Sequence, residues 1–347
     1  MPNISKINAV DIGNIAKVDG ATSSNIAKVD GLDFVTFTGL LDTYTGAAAA
    51  YSVRQLKSGV TVAMRVRRDT AGGTGDDDEA DVAFDTSLAT PTISLDSAIS
   101  NASALVTATT LGQFLNVGTV NGTTYTNPDS LSVTASCFVD EWKDQSGNAN
   151  HVEQAAGAAQ AQIHSGTVDT DLITENGKPA IEYTAGTSVM ESVSNIGISG
   201  TGDRTQFMVG MCTNISTNST SSFLSYGADG LGTAWQNTFE PWVRVGSGYQ
   251  SFSGISANTQ HLYTTALVSG TNVTDTDAFV NGSAATAGAA SSRALNTTNS
   301  TLQIGATAAG AASFDGKMQE ILVWSNDQIT SNRTGIETDI NGFFGIY

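Results

Sequence analysis

Length, composition and charge restrict what this chain can do. Its 347 residues are enough for one large domain or two modest ones, and only 14% of them are charged. Because 33 acidic residues face 15 Lys and Arg, the net charge is -18, and nucleic acid is not an expected partner. No run approaches the roughly 18 apolar residues that span a bilayer, so we expect no membrane insertion.

The N-terminal region repeats one short motif at a constant offset of 11 residues. The motif occupies residues 3–9, 14–20 and 25–31, and the last two copies read Asn-Ile-Ala-Lys-Val-Asp-Gly. An 11-residue period suits a right-handed coiled coil, but β-branched residues and Asp-Gly turn signals favour strand, turn and strand.

A repeat this short cannot bury a core of its own. We therefore expect residues 1–36 to form an arm that pairs with neighbouring copies or another protein, with a flexible leader as the alternative. The apolar positions expected to make this assembly contact are Ile4, Ile7, Ile15, Val18, Ile26 and Val29.

We expect a domain over residues 37–347, with a helix and an insertion in residues 42–130 near its start. A helix is expected over residues 42–59, capped by Thr45 and ended by Gly59, followed by an alternating strand over residues 60–68. The basic run 65–68 is expected on one polar face of this strand. Residues 92–118 are weakly helical, with a second short piece around residues 111–115.

An acidic run follows the first strand. Its carboxylates could bind calcium, the only cofactor that we consider, but the run lacks the spacing of a known calcium loop. A solvated acidic turn is the preferred interpretation. The run consists of Asp76, Asp77, Asp78 and Glu79. Cys137 and Cys212 lie in apolar, strand-like segments and are expected to be buried thiols.

From residue 130 onward the chain is typical of an antiparallel β-sandwich, with short strands separated by Gly, Asn, Asp and Ser. Asn281-Gly282 predicts a hairpin turn, and residues 332–344 predict an amphipathic helix. The core sandwich should cover residues 131–347. The expected strands are 131–142, 179–184, 206–213, 222–226, 238–245, 261–268, 278–281, 301–304 and 317–324.

Two passages carry a family resemblance. The strand at 261–268, the hairpin at 278–282, Leu302-Gln303-Ile304-Gly305 and the closing strand at 314–324 resemble the concanavalin A/laminin G-like jelly roll in order and spacing. The resemblance implies a mainly β, antiparallel jelly-roll sandwich with a few short helices and, in this chain, an extended N-terminal arm.

The second passage, residues 142–151 with the sequence Trp-Lys-Asp-Gln-Ser-Gly-Asn-Ala-Asn-His, resembles phage tail-fibre and virion proteins and the catalytic domain of fungal arabinofuranosidase B. Such enzymes need a carboxylate nucleophile and a second carboxyl as acid. The resemblance matches the nucleophile to Glu240 and the acid to Thr307, which cannot protonate a leaving group. We therefore expect no enzyme, and we expect His151 to be a structural hydrogen-bond partner within a self-capped loop.

These features together predict a structural virion protein on a particle surface, such as a tail fibre, appendage or capsid decoration. The N-terminus lacks a secretory signal pattern, which fits a particle released by lysis. The expected partners are further copies of the chain and other virion proteins. The alternative is a carbohydrate-binding adhesin for a host-surface glycan, whose candidate stacking residues are Tyr226, Trp235, Trp242 and Tyr249.

Overall fold

The computed structural model describes six short strands within residues 1–36 and then residues 37–213, 222–227, 235–238, 242–245, 247–298, 301–306 and 314–347. Within the arm, each repeat forms one antiparallel hairpin, so the strand-turn-strand prediction is confirmed. The pairs are β1 (Lys6–Ile7) with β2 (Val10–Asp11), β3 (Lys17–Val18) with β4 (Ala21–Thr22), and β5 (Lys28–Val29) with β6 (Leu32–Asp33).

Each arm hairpin has a two-residue loop, and this length fixes which backbone groups point outward. The residue pair next to such a loop exchanges both hydrogen bonds, whereas the next pair directs its N–H and C=O groups away from the hairpin. The outward pairs are Lys6 with Asp11, Lys17 with Thr22, and Lys28 with Asp33. Among the described strands, none pairs with the outer edges of an arm hairpin.

The described part of the body contains antiparallel strands, three α-helices and two 3-10 helices (Gly157–Ala159 and Val273–Asp275). The α-helices are α1 (Leu40–Thr43), α2 (Leu111–Leu115) and α3 (Arg333–Phe344). The strands are β7 (Ala47–Ser52), β8 (Val62–Asp69), β9 (Glu79–Ala83), β10 (Ile99–Ser100), β11 (Gly118–Val120), β12 (Thr123–Tyr125), β13 (Ser136–Trp142), β14 (Val152–Glu153), β15 (Ala161–Ser165), β16 (Thr174–Glu175), β17 (Lys178–Pro179), β18 (Ile181–Tyr183), β19 (Met190–Asn195), β20 (Arg204–Cys212), β21 (Ser222–Tyr226), β22 (Trp235–Thr238), β23 (Trp242–Val245), β24 (Gly248–Phe252), β25 (Gln260–Leu267), β26 (Thr276–Val280), β27 (Ser283–Ala284), β28 (Ala287–Ser291), β29 (Thr301–Ile304) and β30 (Gly316–Trp324).

Two large antiparallel layers follow from the strand pairing. Sheet A has the order β27-β26-β25-β20-β30-β7. Sheet B has the order β28-β24-β23-β22-β21-β29-β19-β14. The strands β18, β15, β13, β8, β9 and β10 connect the layers, because β18 pairs with β30 and β13 pairs with β14. The mainly β, antiparallel class is confirmed.

The core lies between sheets A and B. Phe223 of sheet B packs edge-on against Phe314 with ring centroids 5.1 Å apart. Gly210 of sheet A lies directly opposite, where a Cβ atom would come within 2.7 Å of the Phe223 ring. Close approach of the two layers therefore requires glycine at this position. On the other face of sheet A, α3 buries Ile336 and Ile340 as its amphipathic pattern predicts.

The helix predicted over residues 42–59 is wrong. Only α1 is helical there, and the alanine-rich residues 47–52 form β7, which pairs with the last strand, β30. All six residues of β7 are buried. Pairing and burial of a strand therefore outweigh the high helix propensity of alanine. In residues 92–118 only α2 is helical, and Thr110 caps it by accepting a hydrogen bond from the Gln113 N–H.

Most predicted β elements of the second half are confirmed with small shifts of their ends. The hairpin at Asn281-Gly282 has both residues in the left-handed region, at φ 51° and 78°, and joins β26 to β27. This is the geometry that a two-residue Asn-Gly loop favours. The predicted strand 131–142 begins later, at Ser136, and 238–245 corresponds to the end of β22 and to β23.

Candidate functional site

The loop between β13 and β14 is held together by one carboxylate. Asp144 Oδ1 accepts hydrogen bonds from the N–H groups of Ala50 and Ser146, at 2.8 and 2.9 Å. Its Oδ2 accepts bonds from Ser146 Oγ and the Asn150 N–H, at 2.7 and 2.9 Å. His151 Nδ1 accepts the Asp144 N–H at 2.9 Å. The self-capped loop and the structural role of His151 are both as predicted.

The same loop takes the place of a neighbouring strand along the free edge of β7. The Gln145 side chain donates to the Ser52 carbonyl at 3.2 Å, and its backbone N–H donates to the Ala50 carbonyl at 2.7 Å. The side-chain amides of Asn148 and Asn150 both donate to the Ala48 carbonyl. Side chains of the loop thus satisfy backbone groups that an unpaired edge strand would expose.

A cleft of about 570 Å³ opens beside this capped edge. Its wall of described residues carries amide, hydroxyl and backbone groups and no charged side chain. The lining residues are Gly46, Ala47, Ala48, Ser146, Asn148, Asn150, Ser194, Asn195, Ile196, Gly197 and Ser325. They come from four separate segments that no single sequence motif joins, so the cleft could not be predicted from the sequence.

Two walls of the cleft offer hydrogen-bonding groups. Asn150 is 6% exposed, and its Oδ1 accepts no hydrogen bond from any residue that the structure describes. On the opposite wall, β19 pairs with β14 at Glu191 and Ser192, and the Val193 N–H still reaches the His151 carbonyl. Further along β19 the register is irregular, and Asn195 pairs with Thr301 of β29.

A row of directly paired polar residues crosses sheet B; Glu191 and Ser291 at its ends are exposed, and Ser225 within it is fully buried. Directly opposed residues of an antiparallel sheet share a face. The Cα partners in this row are Glu191, Gln303, Ser225, Gln236, Arg244, Tyr249 and Ser291. Six strand spacings of about 4.8 Å give the row a length of about 29 Å.

Two of the four predicted stacking aromatics, Tyr226 and Tyr249, have side chains that the structure describes. Tyr226 is 1% exposed, and its hydroxyl accepts a hydrogen bond from Gln206 Nε2 at 2.7 Å, so its assignment as a ligand-binding residue is wrong. All five residues of its strand, β21, are buried. Tyr249 is half-buried on β24. Trp235 and Trp242 lie on β22 and β23, and their side chains are outside the described residues.

The residues matched to the enzyme family are also outside the described residues. Glu240 lies between β22 and β23, and Thr307 follows β29. The side chains of the assembly positions named in the arm are outside them too, although Ile7, Val18 and Val29 belong to described strands.

The basic run 65–68 and the acidic run 76–79 bind each other. The run forms a turn in which Asp77 is exposed, and its carboxylates also accept bonds from guanidinium or backbone N–H groups. The calcium alternative stays a prediction. The ion pairs are Arg65 with Glu79 at 2.9 Å, Arg67 with Asp77 at 2.8 Å and Arg68 with Asp78 at 2.6 Å. Asp76 accepts the Thr70 and Gly72 N–H groups, at 2.8 and 3.0 Å.

Arg68 also corrects the predicted polar face of β8. It alternates with Met64 and Val66 on the buried side and is 1% exposed. Its guanidinium lies 4.6 Å from the Phe114 ring centroid and donates to the Phe114 carbonyl. Within the part of the chain that the structure describes, no group of three or more His, Cys, Asp and Glu side chains is placed to hold a metal ion.

A second buried ion pair links β7 and β30 to the C-terminal helix. Arg54 Nε donates to Glu320 Oε2 at 2.8 Å, and Ser52 Oγ donates to the same oxygen at 2.7 Å. The Arg54 Nη1 atom lies 2.8 Å from Asp339 of α3. Burial alone would lower the pKa of Arg54, but Glu320 and Asp339 outweigh burial and raise it. This cluster fixes α3 on sheet A, with Arg54 and Glu320 buried and Asp339 at its exposed end.

The remaining titratable groups of the predicted sites are structural. Neither cysteine forms a disulfide within the described residues, both are fully buried as expected, and burial raises the pKa of the Cys137 thiol well above its usual range. Burial lowers the pKa of His164 and of His261. Neutral, buried imidazoles of this kind serve as hydrogen-bond partners. Among the described helices, none has the length and apolar character needed to cross a membrane.

Comparison with known proteins identifies the fold and leaves the family open. No protein-family model matches the chain, and no curated protein matches it. Among solved structures, a GH54 α-L-arabinofuranosidase soaked with a cyclic sulfate inhibitor aligns with a TM-score of 0.51 and 15% identity, covering 87% of this chain and 63% of that chain.

An arabinofuranosidase complexed with arabinofuranosyl-α-1,2-xylobiose gives a TM-score of 0.50 and 16% identity, covering 87% of this chain and 64% of that chain. This chain therefore spans less than two thirds of the enzymes that it resembles. At such low identity the likeness establishes a shared β-sandwich fold and no activity. The structural similarity to arabinofuranosidases that the sequence indicated is confirmed at the level of the fold.

Proposed function

We propose that this chain is a structural protein that assembles with further copies of itself through its N-terminal arm, and that it displays its jelly roll on the surface of a virion or similar extracellular particle. The observation that carries the proposal is the repeated hairpin. The three hairpins recur at constant spacing and, among the strands that the structure describes, pair with no other strand; free backbone edges recruit strands from other chains.

The residues matched to the catalytic pair do not suit arabinofuranosidase activity. A retaining arabinofuranosidase needs two carboxyl groups about 5 to 5.5 Å apart. The resemblance matches one of them to Glu240 and the other to Thr307, whose hydroxyl is not an acid at neutral pH. We therefore propose that the arabinofuranosidase-like sandwich is a display scaffold in this chain.

The test removes outward N–H groups of the arm without breaking its hairpins. Lys17 and Lys28 direct their N–H groups away from their own hairpins, and proline is tolerated at edge positions of that kind. We expect a Lys17→Pro/Lys28→Pro double variant to lose its oligomers in analytical ultracentrifugation and electron microscopy, whereas Lys17→Ala/Lys28→Ala keeps them. A native chain that stays monomeric at high concentration would refute the proposal.

A second candidate function, compatible with the first, is binding of a glycan on the outer face of sheet B. The row of paired polar residues offers the exposed Glu191 and Ser291 at its ends, about 29 Å apart, and the half-buried Gln303, Arg244 and Tyr249 between them. Hydroxyl-rich chains are recognised by such groups together with an aromatic ring. A glycan array probed with the native protein tests this, and Tyr249→Ala should weaken any binding found. A folded protein that binds no glycan at millimolar concentration would exclude it.

A further inference from the structure

We infer that Asn121-Gly122, at the tip of the β11–β12 hairpin, is a site of spontaneous chemical modification, at which the asparagine deamidates to aspartate and isoaspartate. The chain contains four Asn-Gly pairs, which begin at residues 121, 176, 281 and 341. The structure holds three of these asparagines by their side chains and leaves the first one free to react. The inference does not depend on the proposed assembly.

Deamidation of an Asn-Gly pair needs water and no enzyme. The backbone nitrogen of the glycine attacks the side-chain carbonyl carbon of the asparagine, ammonia leaves, and a succinimide ring forms. Water then opens the ring at one of its two carbonyl carbons, which gives either aspartate or isoaspartate. Glycine is the most favourable second residue, because it has no Cβ to shield its nitrogen and its backbone turns most freely.

Backbone geometry does not distinguish the three pairs that form hairpin turns. In each of them both residues lie in the left-handed region. The φ angles of Asn121, Asn176 and Asn281 are 49°, 48° and 51°, and those of the glycines that follow are 85°, 69° and 78°. The fourth pair lies within α3, where the helix fixes the backbone. Among the three hairpins, the contacts of the side chain therefore decide which asparagine reacts.

Two of the asparagines are bound at the C-terminal end of α3. Asn176 Nδ2 donates to the Phe344 carbonyl at 2.7 Å. Asn341 Nδ2 donates to the Tyr347 carbonyl at 2.7 Å, and its Oδ1 accepts the Tyr347 N–H at 3.0 Å. Each amide would have to break these bonds and rotate before the next nitrogen could reach its carbonyl carbon.

The asparagine of the β26–β27 hairpin is held as well. Asn281 Oδ1 accepts the Leu262 N–H at 3.0 Å. Its glycine is also crowded, because a Cβ atom placed at Gly282 would lie 2.9 Å from the Tyr347 hydroxyl. Attack at this pair therefore requires both a broken hydrogen bond and movement of the C-terminal residue.

Asn121 has neither restraint. It is exposed, as is Gly122, and its side chain makes no hydrogen bond or ion pair with the residues that the structure describes. No atom outside the adjacent residues lies within 4 Å of a Cβ placed at Gly122. Val120 and Thr123 make both hydrogen bonds beside the loop, so the Gly122 nitrogen is not part of the ladder. Attack therefore needs only the rotation of an unbound amide.

The reaction changes both the charge and the length of the turn. Either product adds a negative charge, and isoaspartate also carries the backbone through the former side chain, so the loop becomes longer by one carbon atom. The β11–β12 hairpin is a two-stranded sheet apart from sheets A and B, and Asp169 Oδ1 accepts the Thr119 N–H at its base at 2.6 Å. Two-stranded hairpins are marginally stable alone. The isoaspartate form should therefore open at the tip and stay attached at the base.

Peptide mapping of the aged, folded, full-length protein tests the inference. Trypsin cuts after Lys and Arg except before Pro, so each Asn-Gly pair falls on a different peptide, namely 69–143, 144–204, 245–293 and 334–347. The protein is incubated for days at mildly alkaline pH, and the peptides are analysed by liquid chromatography and tandem mass spectrometry. We expect conversion in peptide 69–143, localised to Asn121, at least tenfold faster than in the other three.

The same chain unfolded in guanidinium chloride is the matched control. All four pairs should then convert at similar rates, because the contacts that protect three of them are gone. Asn121→Ser should abolish the conversion at this position in the folded protein and leave the other three peptides unchanged. Equal rates at all four pairs of the folded chain, or a faster rate at Asn176, Asn281 or Asn341, would overturn the inference. It would also fall if Asn121 stayed intact in the folded chain while the unfolded chain converted.

Discussion

The Asp144 carboxylate makes a sharp prediction about the loop that covers β7. It is 6% exposed and accepts four hydrogen bonds, two at each oxygen. In Asp144→Asn the amide oxygen can keep the two bonds from Ala50 and Ser146, and the Ser146 hydroxyl can turn to accept from the new amide. The Asn150 N–H, however, would face an NH₂ group and lose its acceptor.

The cost of this substitution can be worked from these contacts. A buried N–H without an acceptor costs about 1–3 kcal/mol. The remaining bonds also weaken, because bonds to a charged acceptor are about twice as strong as neutral ones. We expect Asp144→Asn to lower the free energy of unfolding by about 3 kcal/mol in urea denaturation followed by tryptophan fluorescence.

A matched control separates the loop from the general effect of removing a negative charge. Asp277 is an exposed carboxylate on β26, and Asp277→Asn should change stability by no more than about 0.5 kcal/mol. Ser146→Ala removes a single donor and should cost about 1 kcal/mol. If Asp144→Asn unfolds at the same urea concentration as Asp277→Asn, the carboxylate does not organise the loop and the reasoning fails.

Three further predictions concern other charged groups. Glu320→Gln should cost about 3–5 kcal/mol in the same urea assay, because it leaves the buried Arg54 guanidinium without its main counter-charge; a loss below about 1 kcal/mol would contradict this. Burial raises the pKa of Glu337 above 4.5, so the folded chain holds a proton that the unfolded chain releases. The free energy of unfolding should therefore fall as pH rises from about 4.5 through the raised pKa. Glu337→Gln should flatten this slope, and equal slopes for the variant and the native chain would refute the prediction. Millimolar calcium should leave the melting temperature unchanged, because residues 76–79 are already bound by arginines and backbone N–H groups; a saturable rise would support the calcium site.

The sequence predicted elements whose signals are local. The Asn281-Gly282 turn, the arm hairpins and α3 each depend on residues a few positions apart, and all three are observed. The loop at 142–151 was predicted for the same reason, since its side chains bond mainly to their own backbone and to the nearest strand. Local patterns of this kind need no knowledge of the rest of the fold.

Elements decided by distant contacts were missed. The alanines of residues 47–50 favour a helix locally, but their environment is set by β30, which lies about 270 residues later in the chain. Arg68 was placed on a polar face because its aromatic partner, Phe114, is 46 positions away. The cleft is formed by four segments that meet only in the folded structure, so no pattern along the chain could predict it.

The pairing of β7 with β30 has a consequence for biosynthesis. Ser52 lies opposite Glu320, so sheet A cannot close until nearly the whole chain has left the ribosome. Ser52 and Glu320 are 268 residues apart, so at about 5–20 residues per second the two strands are made about 13–54 seconds apart. The arm precedes β7, so under the proposed assembly neighbouring nascent chains could pair their arms before their bodies close.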